Sequence, residues 1–309
     1  MRARLTLHLP QVHCGHNALD LLAQAENWRR HIHGELALIM SRVPQDYTEG
    51  YMHQLWGDGR LHLVRNCQDS MTLPMWQHAD PPWNLQASCF LQMRKRSPMS
   101  DPKWITAPWQ TIPKKPNDLI VDILIEITGL LEDYDSLKAQ DDHDSRDELR
   151  QDLVLRCWQL ESKLALWLST VHIDDTTYHA LDVPDAPFSI YVLAAAHLMC
   201  IYWCACIYVY STLRDLLSES EIQRLPPYVN PQIFFRSIAE AVTVMLHPSS
   251  GVFGAQLAYF PTAVVMTYVR VAGWGEEAKM VSEAYSKAGK DKIIEQFLAS
   301  LRGQLTMAR

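Results

Sequence analysis

The side chains that could carry chemistry in this 309-residue chain are few and scattered. His13-Cys14-Gly15-His16 puts three possible metal ligands within four residues. A structural zinc site draws on about four ligands from two spaced pairs. No second pair follows, so 1–16 reads as a flexible N-terminal segment and no metal is expected. Cys204-Ala-Cys206 lacks the two-residue spacer of redox and zinc pairs. His31 and His33 stand two apart, so on a helix they face different ways. His197 and Tyr202 sit inside the longest apolar run. A titratable group buried beside aromatics is where pKa values shift and acid–base work becomes feasible. These two are therefore the catalytic candidates, set against the plainer reading of His197 as a core histidine. Tyr202 follows His197 by five residues and need not share its face. The sequence has no P-loop, no G-x-G-x-x-G after a strand, no G-x-S-x-G and no H-E-x-x-H. No cofactor is called for.

The element that must position His197 and Tyr202 is the run Phe188 to Tyr210, which contains no Asp, Glu, Lys or Arg. Its 23 residues would span a bilayer. Its tyrosines, however, are spread along it rather than gathered at the ends, and the next charges, Arg214 and Asp215, are one of each sign. A helix that is apolar all round is otherwise the centre of a helical protein. The expectation is a buried core helix and no membrane contact.

The rest of the chain reads as shorter amphipathic helices around that centre. Only 12 Gly and few alternating β-branched runs argue for helix over sheet. Asn17 opens a helical pattern towards Trp28, and Pro44 ends the run that follows His31. Tyr51 to Cys67 is amphipathic but interrupted by Gly57-Asp58-Gly59. Asn117 is placed to cap a strong helix with Leu119, Ile120, Ile123, Leu124, Ile127 and Leu131 on its apolar face. Ser145 and Glu148 fit a capping box for the next helix. Asn230-Pro231 starts another, and Pro261 either kinks the run from Val252 to Trp274 or restarts it. Two more helices are expected after Glu276, with Gly289 as a cap between them. The sum is an all-α bundle of roughly ten helices in one domain, residues 1–309, around the central helix 188–210.

Charge is unevenly placed within the net −7. Residues 131–152 hold nine acids against three bases, and residues 94–116 hold six bases against one acid. Five prolines between 98 and 116 forbid a long helix there, so 92–116 reads as a Pro-rich basic loop pinned by Trp104 and Trp109. Arg94, Lys95 and Arg96 are the candidate partner-binding residues. The two blocks of opposite sign either attract each other or form a docking face. With a net acidic chain they do not make a nucleic-acid-binding protein. The seven cysteines show no scaffold spacing, which fits a reducing, intracellular compartment. The tryptophans 56, 76, 83, 104, 109, 158, 167, 203 and 274 read as core, or as the lining of an apolar ligand pocket.

Several phrases, in their order, resemble the helical regulatory domain of fungal zinc-cluster transcription factors. They are HIHGELALIMSRVPQDYTEGYMHQLWGDGRLHLV from His31, MTLPMWQHADPPW from Met71, LRCWQLESKLALWLSTV from Leu155, the apolar helix, and GVFGAQLAYFPTAVVMTYVRVAGW from Gly251. The last carries Gly254-Ala255 and Phe260-Pro261. In the turn Ser41-Arg42-Val43-Pro44, Val43 stands where that family usually has glycine. The match runs from about Ala18 onward. The cysteine-rich zinc cluster and basic region of such factors are absent from this sequence, so sequence-specific DNA binding is not carried over. The resemblance implies a nuclear transcription regulator without its own DNA reader. It would act through a protein partner, such as a full-length zinc-cluster factor, in control of a fungal specialised-metabolite gene cluster. It transfers no catalytic residues. The alternative is an enzyme or metabolite-binding protein on the same scaffold, holding a small-molecule ligand for cyclisation or isomerisation in an apolar pocket.

Overall fold

A computed structural model describes residues 39–65, 91, 94–140, 142–171, 190–247, 250–272, 279–281 and 283. The expectations for 1–16, Asn17 to Trp28, His31 and His33, the Pro/Trp stretch from Met71 to Trp83, Gly289 and the helix from Asp291 lie outside these residues. The helices in chain order are α1 (Gly50–Arg65), α2 (Pro102–Thr106), α3 (Pro116–Lys138), α4 (His143–Thr170), α5 (Ile190–Leu216), α6 (Glu219–Ile222), α7 (Pro231–Met245) and α8 (Gly251–Ala272). Short 3-10 turns join them at Pro44–Tyr47, Pro98–Ser100, Ala107–Trp109 and Pro227–Val229. The described residues contain no strand.

The protein is an all-α bundle built around α5, the apolar helix. This helix packs against α3, α4, α7 and α8. Cys200, Ile201, Cys204, Ala205, Cys206, Ile207 and Val209 along it are wholly buried. It is long and apolar enough to cross a membrane, and 61% of its most apolar window is buried inside the protein. It runs six residues past Tyr210, because Leu213 and Leu216 continue the buried face. Its neighbours turn their apolar stripes inward: Ile120, Ile123, Leu124, Ile127 and Leu131 from α3, and Leu153, Cys157, Leu160, Leu164 and Trp167 from α4.

The helix starts follow their local chemistry, with two differences from expectation. α7 begins as anticipated: Asn230 Oδ1 accepts from the Gln232 N–H at 3.1 Å, and Pro231 takes the first turn, where no N–H is needed. In α3 the cap lies before Asn117. Pro116 occupies the first position, and the Asp118 carboxylate accepts from the Lys115 N–H at 2.9 Å. In α4 the cap lies three residues before Ser145, where Asp142 Oδ2 accepts from the Ser145 N–H at 3.0 Å. A carboxylate at a helix N-terminus both satisfies an amide and meets the positive end of the helix dipole, which places the cap at the earlier residue.

A second, smaller core joins Ile39, Tyr47, Trp56, Met99, Trp104, Val121 and Ile125. It fastens α1 and the Pro-rich segment onto α3. That segment is more ordered than a loop. It is a chain of one-turn helices, and a proline occupies one of the first two positions of each of them. The prolines limit each turn to five residues or fewer, and buried Trp104 stacks on Trp56 at 4.8 Å. α1 is one continuous helix through Gly57-Asp58-Gly59. Gly57 lies against the Trp109 ring, 3.8 Å from where its Cβ would be.

Candidate functional site

His197 lies on α5 and faces α8. Its Nδ1 is 3.2 Å from the Leu257 carbonyl oxygen, so that nitrogen carries the proton and donates. The contact has a local cause. Leu257 O would ordinarily accept from the N–H of residue 261 in an α-helix. Residue 261 is proline, inside α8, and has no N–H. His197 supplies the donor that Pro261 removes.

Tyr202 faces other neighbours. Its ring stacks on Trp167 of α4 at 5.3 Å and 15° and meets Phe234 of α7 edge-on at 6.5 Å. Burial pushes its hydroxyl pKa up, as do the neighbouring Cys206 thiol and Tyr210. The contacts of His197 and Tyr202 therefore run to different helices. The thiols beside them are equally committed. Burial raises the pKa of Cys200, Cys204 and Cys206, and that of Cys157 to about 12. A neutral, enclosed thiol is a poor nucleophile and metal ligand. No cluster of three or more metal-ligating side chains occurs among the described residues.

Arg94, Lys95 and Arg96 are brought to the start of the acidic segment. Arg94 Nε donates to both oxygens of Asp135 at 3.0 and 2.8 Å, and its guanidinium lies 5.5 Å from the Tyr134 ring centre. Lys95 Nζ is 3.6 Å from Glu132. Arg96 Nη2 donates to both oxygens of Asp133 at 2.9 and 2.7 Å, and Arg156 of α4 donates to the same carboxylate at 2.6 Å. Burial alone would raise the Asp133 pKa; the bonds from Arg156 and Arg96 outweigh it and hold the carboxyl below its usual range. Residues 94–96 of the basic block and Glu132, Asp133 and Asp135 of the acidic block thus attract each other within the chain. Two backbone features permit this. Arg94 adopts φ +53°, a conformation costly to a side-chain-bearing residue. Gly129 leaves the surface of α3 bare where a Cβ would stand 2.7 Å from Arg96 Nη1.

The residues that sequence reasoning missed form the polar centre of the small core. Arg60 of α1 is only 3% exposed. Its Nη2 donates to the Asp122 carboxylate, which also accepts from Lys114 Nζ. The guanidinium lies between Trp56 and Trp109, 5.7 and 5.4 Å from their ring centres. His53 Nδ1 reaches two backbone carbonyls, Tyr47 O at 3.0 Å and Pro108 O at 2.9 Å, and so donates to both. One signal for this group was in the sequence: His53, Trp56 and Arg60 recur at i, i+3 and i+7, one face of a helix.

No protein-family model, curated protein or solved structure matches this chain.

Proposed function

We propose that the protein is a helical regulator that acts through contacts with other proteins. On this reading it is a nuclear relative of the regulatory domain of fungal zinc-cluster transcription factors, working on a specialised-metabolite gene cluster through a partner that reads the DNA. The observation that carries the reading is the outer face of α4. Leu155 and Leu166 are 57% and 67% exposed and lie on one stripe with Gln159 and Ser162. Its rim is charged, with Asp152 and Lys163 beside it. The two leucines stand about 16 Å apart along the helix with polar side chains between them, and on this reading they are two separate apolar anchors for a partner. Two further features favour binding over catalysis: His197 is occupied in bridging α5 to α8, and Tyr202 is stacked into the core. The basic residues 94–96 also pair within the chain, and α4 is the contact surface this reading uses.

The test is a strain carrying Leu155→Asp and Leu166→Asp in place of the natural gene. Both positions are on the surface, so the fold holds. The reading expects transcripts of the controlled cluster to fall as they do in a full deletion. Normal transcripts from a stably accumulated double variant would refute it.

A further inference from the structure

Among the described residues, the polar centre of the small core has more donors than acceptors. Arg60 Nη2 is satisfied by Asp122 and by the Asp118 carbonyl at 3.5 Å. Arg60 Nε and Nη1 are buried and meet no acceptor among the described residues. The same holds for the indole Nε1 atoms of Trp56 and Trp109. All four nitrogens are obligatory donors. Each sits at or beside the stack in which the Arg60 guanidinium covers both indole rings. Buried polar groups in folded proteins are almost always partnered, so four unanswered donors around one guanidinium describe a place for an acceptor.

The charges narrow its chemistry. Among the described residues, Arg60 and Lys114 pair with a single carboxylate, Asp122. The other nearby carboxylate, Asp118, is turned to the Lys115 amide at the start of α3. With both carboxylates counted, the two cations are balanced among the described residues, so the pull on an acceptor comes from the unanswered N–H donors, and a monoanion is accommodated better than a phosphate dianion. The walls are the flat apolar faces of tryptophans, and Lys114 Nζ lies 5.8 Å from the Trp109 ring centre. The guanidinium takes the space between the two rings, so its unanswered Nε–H and Nη1–H meet an acceptor at its edge, where a planar group on a small organic body lies in the guanidinium plane. Lys114 and Trp109 are the half-buried members of the cluster, whereas Arg60 and Trp56 are enclosed. Entry is therefore from the Lys114–Trp109 side.

We propose that Arg60, with the indole N–H groups of Trp56 and Trp109, binds the carboxylate of a small organic acid. The site is separate from the α4 face and does not depend on the regulatory reading. The probes are acetate and benzoate, with chloride and inorganic phosphate for comparison, titrated into the full chain at constant ionic strength and pH 7. Tryptophan fluorescence and melting temperature are read together, because a ligand specific to the folded state raises the melting temperature as its site fills. The expected result is a saturable response to the carboxylates, weakened several-fold in Trp109→Phe and at least tenfold in Arg60→Met. Trp109→Phe keeps an aromatic ring and all charges and removes one donor, so it remains informative if Arg60→Met does not fold. A response that fails to saturate, one that phosphate or chloride matches, or one unchanged in Trp109→Phe overturns the proposal.

Discussion

Removing the His197 donor should hurt only while Pro261 is present. In the natural protein His197→Phe leaves the Leu257 carbonyl, in a residue 3% exposed, without its donor. An unsatisfied buried acceptor costs about 1–3 kcal/mol. In a Pro261→Ala background the N–H of residue 261 can close the ordinary helical bond to Leu257 O. That carbonyl is then never bare, and its share of the cost disappears. Any other contact His197 makes is lost equally in both backgrounds and cancels in a double-mutant cycle. The expected coupling is therefore about 1–2 kcal/mol, with His197→Phe the milder change in the Pro261→Ala background. Urea denaturation of the four proteins measures it, taken as shifts in midpoint at constant slope. Additivity within about 0.5 kcal/mol would refute the assignment of His197 as the stand-in donor.

Three further outcomes follow from named contacts. Gly254→Ala would place a Cβ 2.0 Å from the Met245 carbonyl oxygen and 2.5 Å from Ser250 Cβ, where the start of α8 passes the end of α7. Backbone must move, so a loss of roughly 1–3 kcal/mol or more is expected by urea or thermal unfolding. A variant in which Cys14, Cys67 and Cys89 are serine should give no reaction with a thiol reagent at pH 8 until it is unfolded. Burial keeps the four remaining thiols neutral and enclosed, so native-state labelling would contradict the packing of α5. Asp133→Asn should cost roughly 1 kcal/mol at pH 7. The folded pKa of Asp133 is lowered, so its contribution is present above the unfolded value of about 3.9 and is lost as pH falls through the folded one. The gap between Asp133→Asn and the natural protein should close below about pH 4, read by urea midpoints across pH.

The parts of the fold visible in the sequence were those fixed by neighbours in the chain. The apolar run near 188–210 marked α5, Asn230-Pro231 marked the start of α7, and the proline spacing at 98–116 ruled out a long helix. The opposite charge blocks were visible too, though their mutual pairing came from the way residues 94–96 lie across α3. Caps were misplaced where two eligible residues stood close together, as with Asp142 and Ser145. The Gly57-Asp58-Gly59 run looked like a break, yet the helix passes through it with Trp109 laid on Gly57. What the sequence concealed was contact at long separation. Leu257 is sixty residues from His197, and Asp122 is sixty-two from Arg60. Arginine is almost never fully buried unless paired, so without Asp122 in view Arg60 reads as an ordinary surface residue.

For the regulatory reading the decisive experiment is deletion of the gene in the source organism, with neighbouring transcripts and metabolites read from one culture. The transcripts and the final product are expected to fall together, with no intermediate left behind. Transcripts that hold steady while the product vanishes and an intermediate accumulates would overturn the reading and make the protein a participant in the chemistry.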